Sequence, residues 1–172
     1  MYQWFVFKQS WYTIFILERN SMEKKEYFMK EALKQAKKAY NKLEVPVGVV
    51  IVKDDNIIAR AYNQKEMKNS PIKHAEIIAI EKACKKLNNW RLNDCEMYVT
   101  LEPCPMCAGA IINSRIKKVY IGAVQEKTGA CGSKVDLIEE YKTETKIDIE
   151  FGILKDKCLN LVQEFFKELR KK

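Results

Sequence analysis

Glu96-Met97-Tyr98-Val99-Thr100-Leu101-Glu102-Pro103-Cys104-Pro105-Met106-Cys107-Ala108-Gly109-Ala110-Ile111-Ile112-Asn113 is the stretch that decides the fold. Residues Glu96–Leu101 include Tyr, Val and Thr, which suit a pleated, half-buried strand. Two prolines then interrupt the run, and Pro105 suits a first helical turn, where its missing N–H costs nothing. A helix over Pro105–Asn113 follows, and Lys118–Gly122 reads as the next strand. Strand, helix and strand in direct succession predict an α/β layer architecture.

The pattern extends in both directions. From Glu23 to Leu43, the residues Met29, Leu33, Ala36, Tyr40 and Leu43 recur at helical spacing among lysines, and Val45-Pro46 ends the helix. Val47–Val52 is a β-branched run, Asp54-Asp55-Asn56 a turn, and Ile57–Tyr62 the returning strand of a hairpin. After the polar loop Asn63–Ser70, Ser70-Pro71 signals a helix start, with Ile77, Ile80, Cys84 and Leu87 facing inward. Downstream lie a Gly-rich loop at Thr128–Ser133, a short helix near Val135–Tyr141, a strand near Lys146–Phe151 and a last helix, Asp156–Arg170. The prediction is one domain: a three-layer α/β/α sandwich around a mixed sheet of about five strands.

A chain of 172 residues can bury a single core without staples. No secretory signal is recognisable, so the six cysteines are expected to be reduced thiols of a cytoplasmic enzyme. The net charge of +8 suits a polyanion such as nucleic acid, and equally suits solvated lysines on helix faces. Residues 1–21 differ from the rest, with Tyr2, Trp4, Phe5, Phe7, Trp11, Tyr12 and Phe15 in apolar runs split by Lys8-Gln9-Ser10. These runs are too broken for a span of ~20 apolar residues, so no membrane segment is expected. We read Met22 as the natural start, residues 1–21 as an upstream, non-native or disordered extension, and 22–172 as the domain. An interfacial anchor is the alternative for the extension.

The chemistry centres on the only histidine, His74, in His74-Ala75-Glu76, and on Cys104 and Cys107. One histidine and two cysteines supply the three protein ligands of a catalytic zinc and leave one position for water. A structural zinc with a fourth cysteine, or a redox C-x-x-C pair, uses the same residues. Glu76 favours the catalytic reading, because a carboxylate beside the open position can move protons to and from the bound water.

Further motifs are Val45-Pro46-Val47-Gly48, Ala61-Tyr62-Asn63, Ser114-Arg115-Ile116 and Lys127-Thr128-Gly129-Ala130-Cys131-Gly132-Ser133. With these and the zinc motif, Glu23 to Lys167 resembles the bacterial tRNA-specific adenosine deaminases, of the cytidine/deoxycytidylate deaminase superfamily. The resemblance implies a cytidine deaminase-like fold, a homodimer, one zinc per subunit and no nucleotide cofactor. It implies deamination of adenosine to inosine at the wobble position of a tRNA anticodon arm. By that resemblance His74, Cys104 and Cys107 bind zinc, Glu76 shuttles protons, and Asn63 hydrogen-bonds the flipped-out base. Val47 and Val99 would line the pocket, and Gln125 and Phe166 would contact RNA.

Each of these residues also has an ordinary use: Asn63 as a turn residue, Val47 and Val99 as strand core, Phe165 with Leu161 and Leu169 as an inward stripe. Lys73 and Gln125 depart from the family's usual small residue and aspartate. Competing readings are a free guanine, cytosine or nucleotide deaminase with the same zinc core, and a silent RNA-binding subunit. The basic C-terminal segment weighs against the first and Glu76 against the second.

Overall fold

In the computed structural model the described residues are 2–141 and 146–171, with residues 2–18 described as backbone only. The aromatic side chains of residues 2–15 and the terminal Lys172 therefore lie outside the described part. Ten elements follow in order: α1 (Tyr2–Tyr40), β1 (Gly48–Lys53), β2 (Asn56–Tyr62), α2 (Ala75–Leu87), β3 (Cys95–Leu101), α3 (Pro105–Ser114), β4 (Lys118–Ala123), α4 (Leu137–Glu140), β5 (Asp148–Phe151) and α5 (Lys155–Leu169). They build one five-stranded sheet in the order β2-β1-β3-β4-β5. β1 runs antiparallel to β2 and β3, whereas β4 runs parallel to β3 and β5. The sheet is mixed because a tight hairpin reverses the chain at one edge and α3 carries it across at the other.

Strand alternation divides the core into two layers. Val49, Ile51, Met97, Val99, Val119 and Ile121 face α2 and α3. Val50, Val52, Tyr98 and Tyr120 face α1 and α5 through Phe28, Met29, Ala32, Cys158 and Val162. Gly48 is required where α1 crosses β1, since a Cβ there would collide with the Ala32 carbonyl oxygen and the Ala36 nitrogen. Among the described residues, no helix is long and apolar enough to cross a membrane.

Several expected details shift. α1 is continuous through Ser21-Met22 back to Tyr2 and ends at Tyr40, so Leu43 is exposed, with a left-handed φ of 60°. α2 starts at Ala75 and not at Pro71, because Ser70–Lys73 closes a separate turn through Lys73 N–H and the Ser70 carbonyl. The buried stripe of α2 is Ala75, Ile78, Ala79 and Ala83, and its three alanines seat the helix close on the sheet. Ile80, Cys84 and Leu87 are partly buried against the core, whereas Ile77, expected to face inward, is half-buried and outside that cluster. On α5 the inward residues are Cys158, Val162 and Phe165, while Leu169 is exposed.

Glu150 on β5 ties two layers together. It accepts from Lys25 of α1 at 2.7 Å and from Lys118 of β4 at 3.2 Å. Burial opposes its ionisation, but the two ammonium groups win and hold its pKa below the ordinary 4.5. A depressed folded pKa gives stability above the unfolded pKa that is lost as pH falls through the folded one. Glu150→Gln should therefore lower Tm slightly at neutral pH, by no more than about 1 kcal/mol of stability for partly exposed pairs. The gap should shrink as pH falls through the depressed folded pKa, below the ordinary carboxylate range. Thermal melts in neutral and in acidic buffer check this, and a gap unchanged in acid would refute it.

Candidate active site

His74 and Cys104 are the N-cap residues of α2 and α3. Both have extended backbones (φ −73°, ψ 153° and φ −76°, ψ 171°), and neither side chain caps its own helix. A cap usually turns back to bind the first-turn amides, so these two side chains are left to meet each other. Cys107, three residues into the C-x-x-C, returns to the same side because N-cap and N3 positions are neighbours on a helix. The His74 Nδ1 lies 3.7 Å from Cys104 Sγ and 3.6 Å from Cys107 Sγ.

A tetrahedral zinc with bonds of about 2.3 Å to sulfur and 2.0–2.1 Å to nitrogen would separate such ligands by about 3.5 Å. The donor set fits zinc. Among the described residues no fourth His, Cys, Asp or Glu joins the three, which leaves one tetrahedral position for water or substrate. Cys95, Cys131 and Cys158 are buried elsewhere as free thiols.

The electrostatics suit a cation. Cys104 is pulled down to about 4, first by its hydrogen bond with Cys107 and then by His74, against the effect of burial. Cys107 is pushed up, because it holds that bond and is itself buried. The pair thus yields one proton readily and keeps the second until a cation compensates the charge. His74 is raised, chiefly by its bond to Cys104. Glu76, in the first turn of α2 and only 4% exposed, is raised by burial and reaches the Cys107 thiol. Both helix N-termini add partial positive charge, which favours thiolates.

Backbone bonds place the segments around this cluster. Asn63 N–H donates to the Val47 carbonyl at 3.1 Å, and Gln64 N–H to the Lys73 carbonyl at 3.0 Å. These two bonds bring Val47 and Asn63 beside the His74 segment. Asn63 is buried, Val47 is half-buried, and Val99 is wholly buried in the core. Phe166 is exposed on α5, in the layer opposite α2 and α3, with its ring edge against Phe165 at 5.4 Å. Lys73 turns toward Glu81 at 3.3 Å.

Two buried carboxylates escaped the sequence reading. Glu102, between Leu101 and Pro103, accepts backbone N–H groups of Gln125 (3.0 Å), Cys131 (3.0 Å) and Ser133 (3.2 Å). It pins the Gln125–Ser133 loop to the end of β3, so closely that a Cβ on Gly129 would collide with its Oε2. Glu44, completely buried, accepts from Asn63 Nδ2 at 3.1 Å and from Met67 N–H at 2.7 Å. A charged residue directly after a helix carries no sequence mark of burial. A Glu beside Pro103-Cys104 was the better clue.

Residues 22–123 match the cytidine and deoxycytidylate deaminase zinc-binding region. The chain is 47% identical over 151 residues to a tRNA-specific adenosine deaminase of Bacillus subtilis (strain 168), covering 88% of this chain and 94% of that one. A solved structure from work on A-to-I editing by tRNA:A34 deaminases at the wobble position superposes with a TM-score of 0.73. It is 36% identical, over 78% of this chain and 98% of its own. A guanine deaminase structure from Bacillus subtilis superposes with a TM-score of 0.58 at 35% identity, over 86% and 94%. The N-cap residues His74 and Cys104 and the loop that Glu102 pins thus sit in a chain that belongs to the cytidine and deoxycytidylate deaminase zinc-binding family, in its tRNA-specific adenosine deaminase branch.

Proposed function

We propose that this protein hydrolyses adenosine to inosine at the wobble position of a tRNA anticodon, releasing ammonia, as a cytoplasmic homodimer with one zinc per subunit. The observation that carries the reading is Glu76, buried beside the His74–Cys104–Cys107 cluster in a chain nearly half identical to a tRNA-specific adenosine deaminase. His74, Cys104 and Cys107 hold the ion. When bound, zinc supplies a Lewis acid that brings the pKa of a water toward ~7.

Glu76 accepts a proton from the attacking water and delivers it to adenine N1 as C6 is attacked. It then passes a proton to the departing ammonia. Its burial keeps bulk water from competing for that proton and favours the protonated form it needs at mid-reaction. Asn63 orients the flipped base, and Val47, with Val99 behind it, forms the pocket wall. Gln125 and Phe166 are proposed RNA contacts, by a polar group on the pinned loop and by stacking. The net charge of +8 supports a phosphate-bearing substrate. The domain that does this is assigned to residues 22–172.

Cys104→Ala should lose most of its zinc by elemental analysis, against about one ion per chain in the parent. Full zinc in the variant would move the site elsewhere.

Glu76→Ala should keep zinc and fold but lose about 10²–10⁴-fold in turnover, read as inosine formed in an anticodon stem-loop. Near-parental turnover would assign the proton transfers to another group.

Affinity for the stem-loop should fall steeply with salt, and deletion of residues 167–172 should weaken binding and flatten that slope while saturated turnover survives. Asn63→Ala should do the opposite, harming turnover with the slope nearly unchanged. The titration is run on the full chain and on a chain begun at Met22. Equal behaviour of the two supports 22–172 as the working domain. Efficient deamination of free guanine with the stem-loop ignored would shift the protein to the small-molecule branch.

A further inference from the structure

We propose that Glu44 is a positioning residue that decides which polar atom Asn63 presents to the base. The proposal rests on the reading above that Asn63 holds that base. Glu44 is 0% exposed, in the bend between α1 and β1. Its Oε1 accepts the Met67 N–H at 2.7 Å and its Oε2 accepts Asn63 Nδ2 at 3.1 Å. One acceptor would suffice to anchor the Met67 loop. The second oxygen is given to the amide.

A carboxylate can only accept, so it compels the Asn63 amide to turn its NH₂ inward. The Asn63 backbone cannot drift to undo this, because its N–H is held by Val47 and its neighbour Gln64 by Lys73. Oδ1 is thereby aimed away from Glu44. Among the described residues every buried side-chain nitrogen and oxygen has a partner, and none of these residues bonds Asn63 Oδ1, so Oδ1 lies on the accessible side. A free amide can rotate by half a turn and offer donor or acceptor interchangeably. The locked amide reads one hydrogen-bond pattern only, and a site built on one pattern rejects bases that present another.

The test is a donor–acceptor exchange. In Glu44→Gln the oxygen of the new amide must stay on the Met67 N–H, so its NH₂ faces Asn63 and the Asn63 amide turns over. A donor then stands where the base met an acceptor, and kcat/KM on a wobble-adenosine stem-loop should fall roughly 10- to 100-fold. Zinc content and Tm should stay near parental values. Asn63→Asp, with its carboxylate against that of Glu44, should be impaired as well.

The double variant Glu44→Gln/Asn63→Asp restores an inward acceptor facing a donor, presents an outward acceptor, and conserves net charge. It should exceed both single variants by about tenfold in kcat/KM. A role for Glu44 confined to anchoring the Met67 N–H predicts no such rescue.

Additive losses in the double variant, or parental kcat/KM in Glu44→Gln while Asn63→Ala is impaired, would overturn the Glu44 assignment alone. Parental kcat/KM in Asn63→Ala would overturn the base-holding role as well. Should a single variant fold poorly, the double variant decides. Activity within about tenfold of the parent supports the proposal, and inactivity with full zinc overturns it.

Discussion

The site depends on two helices that start without a side-chain cap. A capping side chain on α2 or α3 would satisfy local amides and stabilise each helix by about 1 kcal/mol. His74 and Cys104 forgo that bond and reach across to each other. What replaces it is convergence: two helix N-termini bring one imidazole and two thiols around a point where a divalent cation would balance the thiolates. The sheet makes this possible, since β1 and β3 are adjacent and the chain entering β1 and the chain leaving β3 lie at the same edge.

Around that edge, buried carboxylates take over the work that regular structure cannot do. The loop from Gln125 to Ser133 and the loop from Asn63 to Lys73 have few ladder bonds of their own. Glu102 gathers three amides of the first, and Glu44 gathers an amide and a side chain of the second. Each carboxylate answers its own desolvation with hydrogen bonds instead of a cation, the condition under which burial of such a group is tolerated. Loops fixed in this way can carry substrate contacts with little rearrangement, whereas unpinned loops would have to be ordered on each binding event.

The two faces of the sheet have different duties. The α2/α3 face carries the metal ligands at the helix starts and an aliphatic core of Val, Ile and Ala beneath them. The α1/α5 face holds the aromatic cluster of Phe28, Tyr98 and Tyr120, with the Tyr98 and Tyr120 rings stacked at 4.3 Å. Glu150, bonded to Lys25 and Lys118, fastens α1 on that side. Phe166 is exposed on α5, while its neighbour Phe165 packs its ring against Tyr40 at the end of α1 at 5.5 Å.

By itself the sequence determined the element order, the α/β layering and the metal set, because each is written locally. Strand alternation at Val47–Val52, Pro105 in a first turn, and a lone histidine with one C-x-x-C leave few alternatives. The sequence could not determine which face each helix buries, since Ala75, Ala79 and Ala83 carry too little hydrophobicity to outvote Ile77 and Ile80 until the sheet demands a close approach. Nor could it reveal that α2 begins only at Ala75, as Ser70-Pro71 makes an equally good local turn. Only the tertiary structure decided that Glu44 and Glu102 are interior groups. Their partners, Asn63, Met67, Gln125, Cys131 and Ser133, lie nineteen or more residues away along the chain. Hydrogen bonds between such distant groups leave no period in the sequence, because the fold alone brings donor and acceptor together.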